Sequence, residues 1–120
     1  MVAIKRAYDP PERADGTRIL VDRLWPRGLK KSQAQVEKWM RELGPSNELR
    51  QFFGHDPTRW PEFRRRYLEE LKRSEAASML AELAEIARNG KLTLVYSAKD
   101  QEHNQAVVLK ELLDKKLRQP

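Results

Sequence analysis

Apolar positions along the chain fall into two periodicities. Val2, Ile4 and Tyr8 alternate with Lys5 and Arg6, the period-two signature of a strand over residues 2–8. Asp9-Pro10-Pro11 ends it, and Ala14-Asp15-Gly16 supplies a turn. A second β-favouring run, Ile19-Leu20-Val21, predicts a strand over 18–25. Pro26 cannot donate to a sheet ladder and Gly28 tolerates unusual backbone angles, so that strand stops near Trp25. Leu92 to Tyr96 predicts a third strand over 91–97.

Between the second and third strands the spacing changes to three and four. Ser32, with Gln35 as its reciprocal partner, opens a predicted helix that carries Val36, Trp39, Met40 and Leu43 and stops at Gly44-Pro45. Ser46 opens a short helix through Leu49, Phe52 and Phe53, closed by Gly54. Asp56 as N-cap and Pro57 at the first position start an amphipathic helix bearing Trp60, Phe63, Tyr67 and Leu71. From Ser74 a further helix turns Met79, Leu80, Leu83 and Ile86 inward, with Asn89-Gly90 closing it in the left-handed manner. The last helix, from Gln101, buries Val107, Val108, Leu112 and Leu117, and the residues from Lys115 read as loose.

These elements make one domain over 1–120: a small, three-layer-type α/β fold with a short, mostly parallel sheet and four to five helices. The connection between the first two strands is too short for a helical crossover, so their relation is antiparallel or non-adjacent, and the direction of the first strand stays open. The second and third strands, joined by several helices, are expected to be parallel and to end on the same sheet edge. Open α/β sheets place their sites at that edge.

Composition narrows the classes. Hydrophobic residues at 39% and charged residues at 35% describe a globular chain with a charged surface. No apolar run approaches a membrane span of about 20 residues, and Met1 to Arg6 lacks the apolar core of a secretory signal, so a cytoplasmic location is expected. The chain contains no cysteine, which removes disulfides, thiolate nucleophiles and cysteine metal sites. A net charge of +6 favours anionic partners, yet 18 acidic residues are mixed among 24 basic ones, and nucleic-acid binding needs the positive charge gathered on one face.

Chemistry-bearing residues gather after the second and third strands. Asp22, Arg23, Trp25 and Arg27 follow one; Tyr96, Ser97, Lys99, Asp100, His103 and Asn104 end or follow the other. A strand entering a helix N-terminus leaves amide donors that favour anions, and Lys99, Arg23 and Arg27 would reinforce this. Asp100 as a simple cap is the plainer alternative. His55 and His103 are the only histidines, and Asp56 beside His55 would serve either proton transfer or capping. No close-spaced ligand pair supports a metal, no Gly-x-Ser-x-Gly elbow surrounds Ser97, and neither phosphate-loop nor dinucleotide glycine motif occurs. No metal and no cofactor is expected. The arginine-rich stretch 59–73, with Arg64-Arg65-Arg66, reads first as a solvated face paired by Glu62, Glu69 and Glu70.

Three blocks, Leu20 to Gly28, Phe53-Gly54-His55-Asp56-Pro57-x-x-Trp60-x-x-Phe63, and Tyr96-Ser97-Ala98-Lys99-Asp100-x-Glu102-His103-Asn104, resemble the YeaO-like branch of domain-of-unknown-function family 488. The resemblance spans nearly the whole chain and implies a small α/β domain with a short, largely parallel sheet. The wider family looks like one with cysteine after its last strand, where this chain has Ser97, so thiol chemistry does not transfer. The reading that follows is a strand-end pocket for a phosphorylated or nucleotide-like anion. Arg23, Arg27 and Lys99 would hold it, Trp25 or Tyr96 would wall an apolar or base moiety, and Asp22, His55, Asp56 and Asp100 are the acid/base candidates. The alternatives are a nucleic-acid-binding module using the arginine-rich helix, and a non-catalytic interaction domain whose Asp22 and arginines merely pair with one another. Oligomeric state is left open.

Overall fold

The computed structural model describes residues 1–119. Among them four strands, β1 (Val2–Arg6), β2 (Thr17–Leu20), β3 (Lys38–Trp39) and β4 (Leu92–Tyr96), form one sheet in the order β1-β4-β2-β3. Every pairing is parallel. β4 is central and all five of its residues are buried, as expected for an apolar run covered on both faces. β1 and β2 therefore point the same way without touching, which resolves the direction of the first strand: the relation is non-adjacent.

Helices α2 (Asn47–Phe53), α3 (Trp60–Glu70), α4 (Ser74–Arg88) and α5 (Gln105–Arg118) follow the single-turn α1 (Lys31–Ala34). One sheet face, bearing Ile19, Leu92 and Leu94, packs with Phe63, Tyr67, Leu80, Leu83, Val108 and Leu113 in the main core. The opposite layer is mostly loop. Trp25, Leu29, Val36 and Trp39 cover Leu20 and Val95 there. The rest of that face is polar: Arg18, 4% exposed, donates to Asp15 Oδ2 (2.7 Å) and Ala34 O (2.7 Å), while Thr93 Oγ1 donates to Asp15 O (2.6 Å). A buried guanidinium is tolerable only when paired and bonded in this way.

The helix expected over 32–43 is not formed. Lys31–Ala34 makes one turn, Gln35 takes a left-handed conformation (φ 46°), β3 follows, and Arg41–Leu43 is a 3-10 turn. Trp39 packs into the loop-covered face while Met40 joins the main core, so neighbours point to opposite sides, as in a strand and not a helix. β2 also requires partners on its outer edge, and Glu37 N–H and Met40 N–H donate to Arg18 O and Leu20 O. Other boundaries shift for local reasons. Lys30, not Ser32, stands at the N-cap of α1, and Arg73 precedes α4. Asn89 ends α4 with φ −95°, bonding to Glu85 O and Ile86 O without a left-handed residue. α5 continues to Arg118, through the residues expected to be loose. Asp56, Ser46 and Gly54 hold the capping positions expected of them.

Gly44 marks the closest approach between segments. A methyl group there would overlap the Arg23 main-chain nitrogen and lie 2.7 Å from Arg23 Cα, because the two backbones touch where the site loop leaves the sheet. Gly44→Ala should destabilise the fold by about 1–3 kcal/mol, as overpacking does elsewhere. Urea unfolding checks this; wild-type stability in the variant would refute the close approach.

Candidate functional site

Because β2 and β4 are parallel neighbours, the loops leaving them meet at one sheet edge. Between them lies a cavity of about 400 Å³. The β2 loop contributes Asp22, Arg23, Trp25 and Arg27; the β4 loop and the start of α5 contribute Ser97, His103, Asn104 and Gln105. α2, the turn after it and α3 complete the wall with Arg50, Phe53, His55 and Phe63.

Asp22 joins the two loops. Its carboxylate is buried and accepts the Ser97 N–H (3.0 Å) at Oδ2 and the Gln105 amide at Oδ1. Its main-chain oxygen accepts the Trp39 indole N–H at 2.7 Å. Burial pushes the Asp22 carboxyl above its usual range, outweighing the Ser97 and Gln105 hydrogen bonds and the Arg50 charge that pull it down. No cation forms an ion pair with it among the described residues.

Three arginines, Arg23, Arg27 and Arg50, line the same cavity. Arg23 donates to Gly44 O (2.8 Å), and Arg50 to Asn47 Oδ1 (3.0 Å); neither bonds a carboxylate, nor does Arg27 among the described residues. The α3 surface contrasts with this. Arg64 pairs with Glu111, and Arg65 and Arg66 both pair with Glu62, holding its carboxyl down to about 2.

Trp25 spends its one donor on Leu29 O (2.6 Å) and meets Trp39 edge-on at 5.5 Å, so it presents only ring to the cavity. His103 Nδ1 lies 2.8 Å from Asp100 Oδ2, and its ring stands edge-on to Trp60 at 5.3 Å. With Nδ1 engaged, Nε2 is the nitrogen left for a ligand. His55 follows left-handed Gly54 and is itself left-handed (φ 58°), an uncommon conformation for a side-chain-bearing residue.

The loops therefore bring together Asp22, Arg23, Trp25, Arg27, Ser97, His103 and Asn104 from the two strand ends, with His55 from a third segment. Four predicted residues lie outside the lining. Lys99 is exposed; Tyr96 belongs to the main core; Asp56 caps the turn before α3 by accepting the Thr58 N–H (3.0 Å). Asp100 accepts the N–H groups of Glu102 and His103 in a bend that delays the helix to Gln105, so Asn104 is the cap instead and His103 precedes the helix. Among the described residues no cluster of three histidine or acidic side chains is placed to hold a metal.

Arg50 and Gln105 join the lining without a sequence expectation, and Phe53 and Phe63, expected as apolar helix positions, join it as well. The i, i+3 spacing of Arg50 and Phe53 puts them on one side of α2, a signal that could have linked Arg50 to the Phe53 block. Arg6 and Tyr8, which the sequence marks only as strand residues, serve the site as well. Arg6 donates to both Ala98 O (2.9 Å) and Ser97 O (3.1 Å), and Tyr8 Oη–H donates to Arg27 O (2.8 Å), so the end of β1 positions both loops.

A short parallel sheet whose carboxyl edge carries a cavity lined by arginine and aromatic residues defines a small open-sheet α/β domain with a candidate site at the strand ends. The chain belongs to the family described as the inactive DUF488-N3 subclade, whose model matches residues 1–120. It is 46% identical over 112 residues to the uncharacterized protein YeaO of Escherichia coli (strain K12), covering 93% of this chain and 96% of the relative. It is 39% identical over 113 residues to the uncharacterized protein Mb3100c of Mycobacterium bovis and to Rv3073c of Mycobacterium tuberculosis (strain H37Rv), covering 94% of this chain and 93% of each. No solved structure matches the chain. The family membership inferred from the three sequence blocks holds. Among the described residues no helix is long and apolar enough to cross a membrane.

Two measurements probe the site. His55→Gly relieves the left-handed strain and should stabilise the fold by about 1 kcal/mol; an unchanged or lower unfolding midpoint in urea would argue against strain. Asp22, raised on folding, holds its proton more tightly in the native state. Its stabilising contribution is complete below the ordinary aspartate value of about 3.9 and is lost as pH rises through the raised value. The stability difference between wild type and Asp22→Asn should therefore shift in the variant's favour from pH 4 to pH 7. A difference independent of pH, measured by urea titration, would contradict the shift.

Proposed function

We propose that this protein binds a phosphorylated or nucleotide-like anion, without turning it over, in the cavity at the carboxyl edge of the sheet. The observation that carries the reading is the convergence of Arg23, Arg27 and Arg50 on one cavity with no carboxylate partner, while the arginines of α3 are paired. Arginine suits planar, multi-oxygen anions, and each charge-assisted hydrogen bond contributes about 1.5–3 kcal/mol. Absence of turnover is supported by the subclade's description as inactive.

The ion pairs along α3 weigh against nucleic-acid binding through that helix, because charge neutralised by neighbouring glutamates is not free for phosphates. An ion-pair lattice that merely holds the loops is disfavoured too, since Ser97 and Gln105 bond Asp22 in place of the arginines.

Inorganic phosphate, phosphosugars and nucleotides, titrated into the protein while thermal unfolding is followed, test the reading. A bound anion raises the unfolding temperature in proportion to its saturation. Wild type should respond to at least one phosphorylated compound, the response should shrink at high salt, and Arg23→Gln/Arg27→Gln should lose it. A flat wild-type response to the whole panel would remove the proposal.

A further inference from the structure

Asp22 is unexplained by anion binding alone. A carboxylate only 7% exposed, without an ion pair among the described residues, is costly to bury, and it would repel an anion at its own depth. The cavity separates the charges by level. Arg27 and Arg50 are exposed at its mouth, whereas Asp22 lies buried with Phe53 and Phe63, which are 8% and 2% exposed. Each carboxylate oxygen accepts one protein donor, Gln105 at Oδ1 and Ser97 N–H at Oδ2, and an oxygen with two lone pairs retains acceptor capacity.

Resting on the anion reading above, we infer that the occupant is a nucleoside monophosphate whose base carries an exocyclic amine. The phosphate meets the arginines at the mouth, and the amine donates to Asp22 at the floor. Trp25, its indole N–H already used by Leu29 O, lines the same cavity and offers an aromatic ring with no free donor. A base stacks on such a ring whatever its identity, so stacking adds affinity and Asp22 adds selectivity. At about 400 Å³ the space far exceeds a lone phosphate ion. It falls in the range of about 300–1,000 Å³ typical of small-molecule sites. A base lacking the amine leaves the buried carboxylate oxygen without its donor, the circumstance in which polar sites discriminate most strongly.

Calorimetric titration of the full chain with two matched pairs tests this. GMP against IMP, and AMP against purine riboside 5′-monophosphate, each differ by one amine. The amine-bearing member should bind about tenfold or more tightly in at least one pair, and Asp22→Asn should bring that ratio close to one. Circular dichroism establishes that the variant is folded, and the wild-type ratios stand as a test whether or not it is. Equal affinities within both pairs, or phenyl phosphate binding as tightly as the nucleotides, would overturn the inference while leaving the anion reading intact. Failure of the nucleotides, inorganic phosphate and phosphosugars to bind at all would overturn both.

Discussion

Parallel pairing of β4 with both β1 and β2 is the constraint on which the rest of the molecule depends. It sends the ends of three strands to one edge, so loops 22–27 and 97–104, remote in sequence, become neighbours. β4 can occupy that centre because Leu92 to Tyr96 is buried on both faces, against helices on one side and loop or polar side chains on the other. Antiparallel pairing of β2 would have carried Asp22 and Arg23 to the opposite end of the sheet from Ser97.

Once the loops meet, a small set of hydrogen bonds keeps them in place. Asp22 reaches across to Ser97 and Gln105, Arg6 holds the carbonyls of Ser97 and Ala98, and Tyr8 holds that of Arg27. Trp39 fixes the Asp22 main chain from the edge strand. Most of these anchors are directed at main-chain groups, and the side chains of Arg27, Arg50 and His103, which line the cavity, take no part in them. The cavity's shape is thus set by residues that mostly do not line it.

Features that work against stability concentrate around this cavity. His55 is left-handed, Asp22 is buried without an ion-pair partner, and three arginines line one cavity with no carboxylate paired to them among the described residues. Elsewhere the same residue types are reconciled. Asp15 lies between Lys5 and Arg18, and Glu62 between Arg65 and Arg66. Local cost confined to one place is the pattern expected of a functional site.

Much of the fold was legible along the chain. β1, β2 and β4 were marked by short β-favouring runs and α2 to α5 by helical spacing, since residues that pack on one face must recur at the element's own period. Asp56, Ser46 and Gly54 announced their capping roles for a similarly local reason. The stretch 32–43 misled because Val36, Trp39, Met40 and Leu43 fit helical spacing while serving two different faces of the sheet. Only the sheet itself, with β2's outer edge needing donors, decides between those outcomes.

The site divides along the same line. Sequence alone determined which polar residues stand after β2 and β4, because strand ends and breakers are written locally in Pro26, Gly28 and Asp100. Tertiary structure decided which of them share a space. It withdrew Lys99, Tyr96, Asp56 and Asp100 from the lining and brought in Arg50, Phe53, Phe63 and Gln105. Those choices depend on how α2, α3 and α5 pack across the sheet edge, and distances between elements far apart in the chain leave no periodic trace in it.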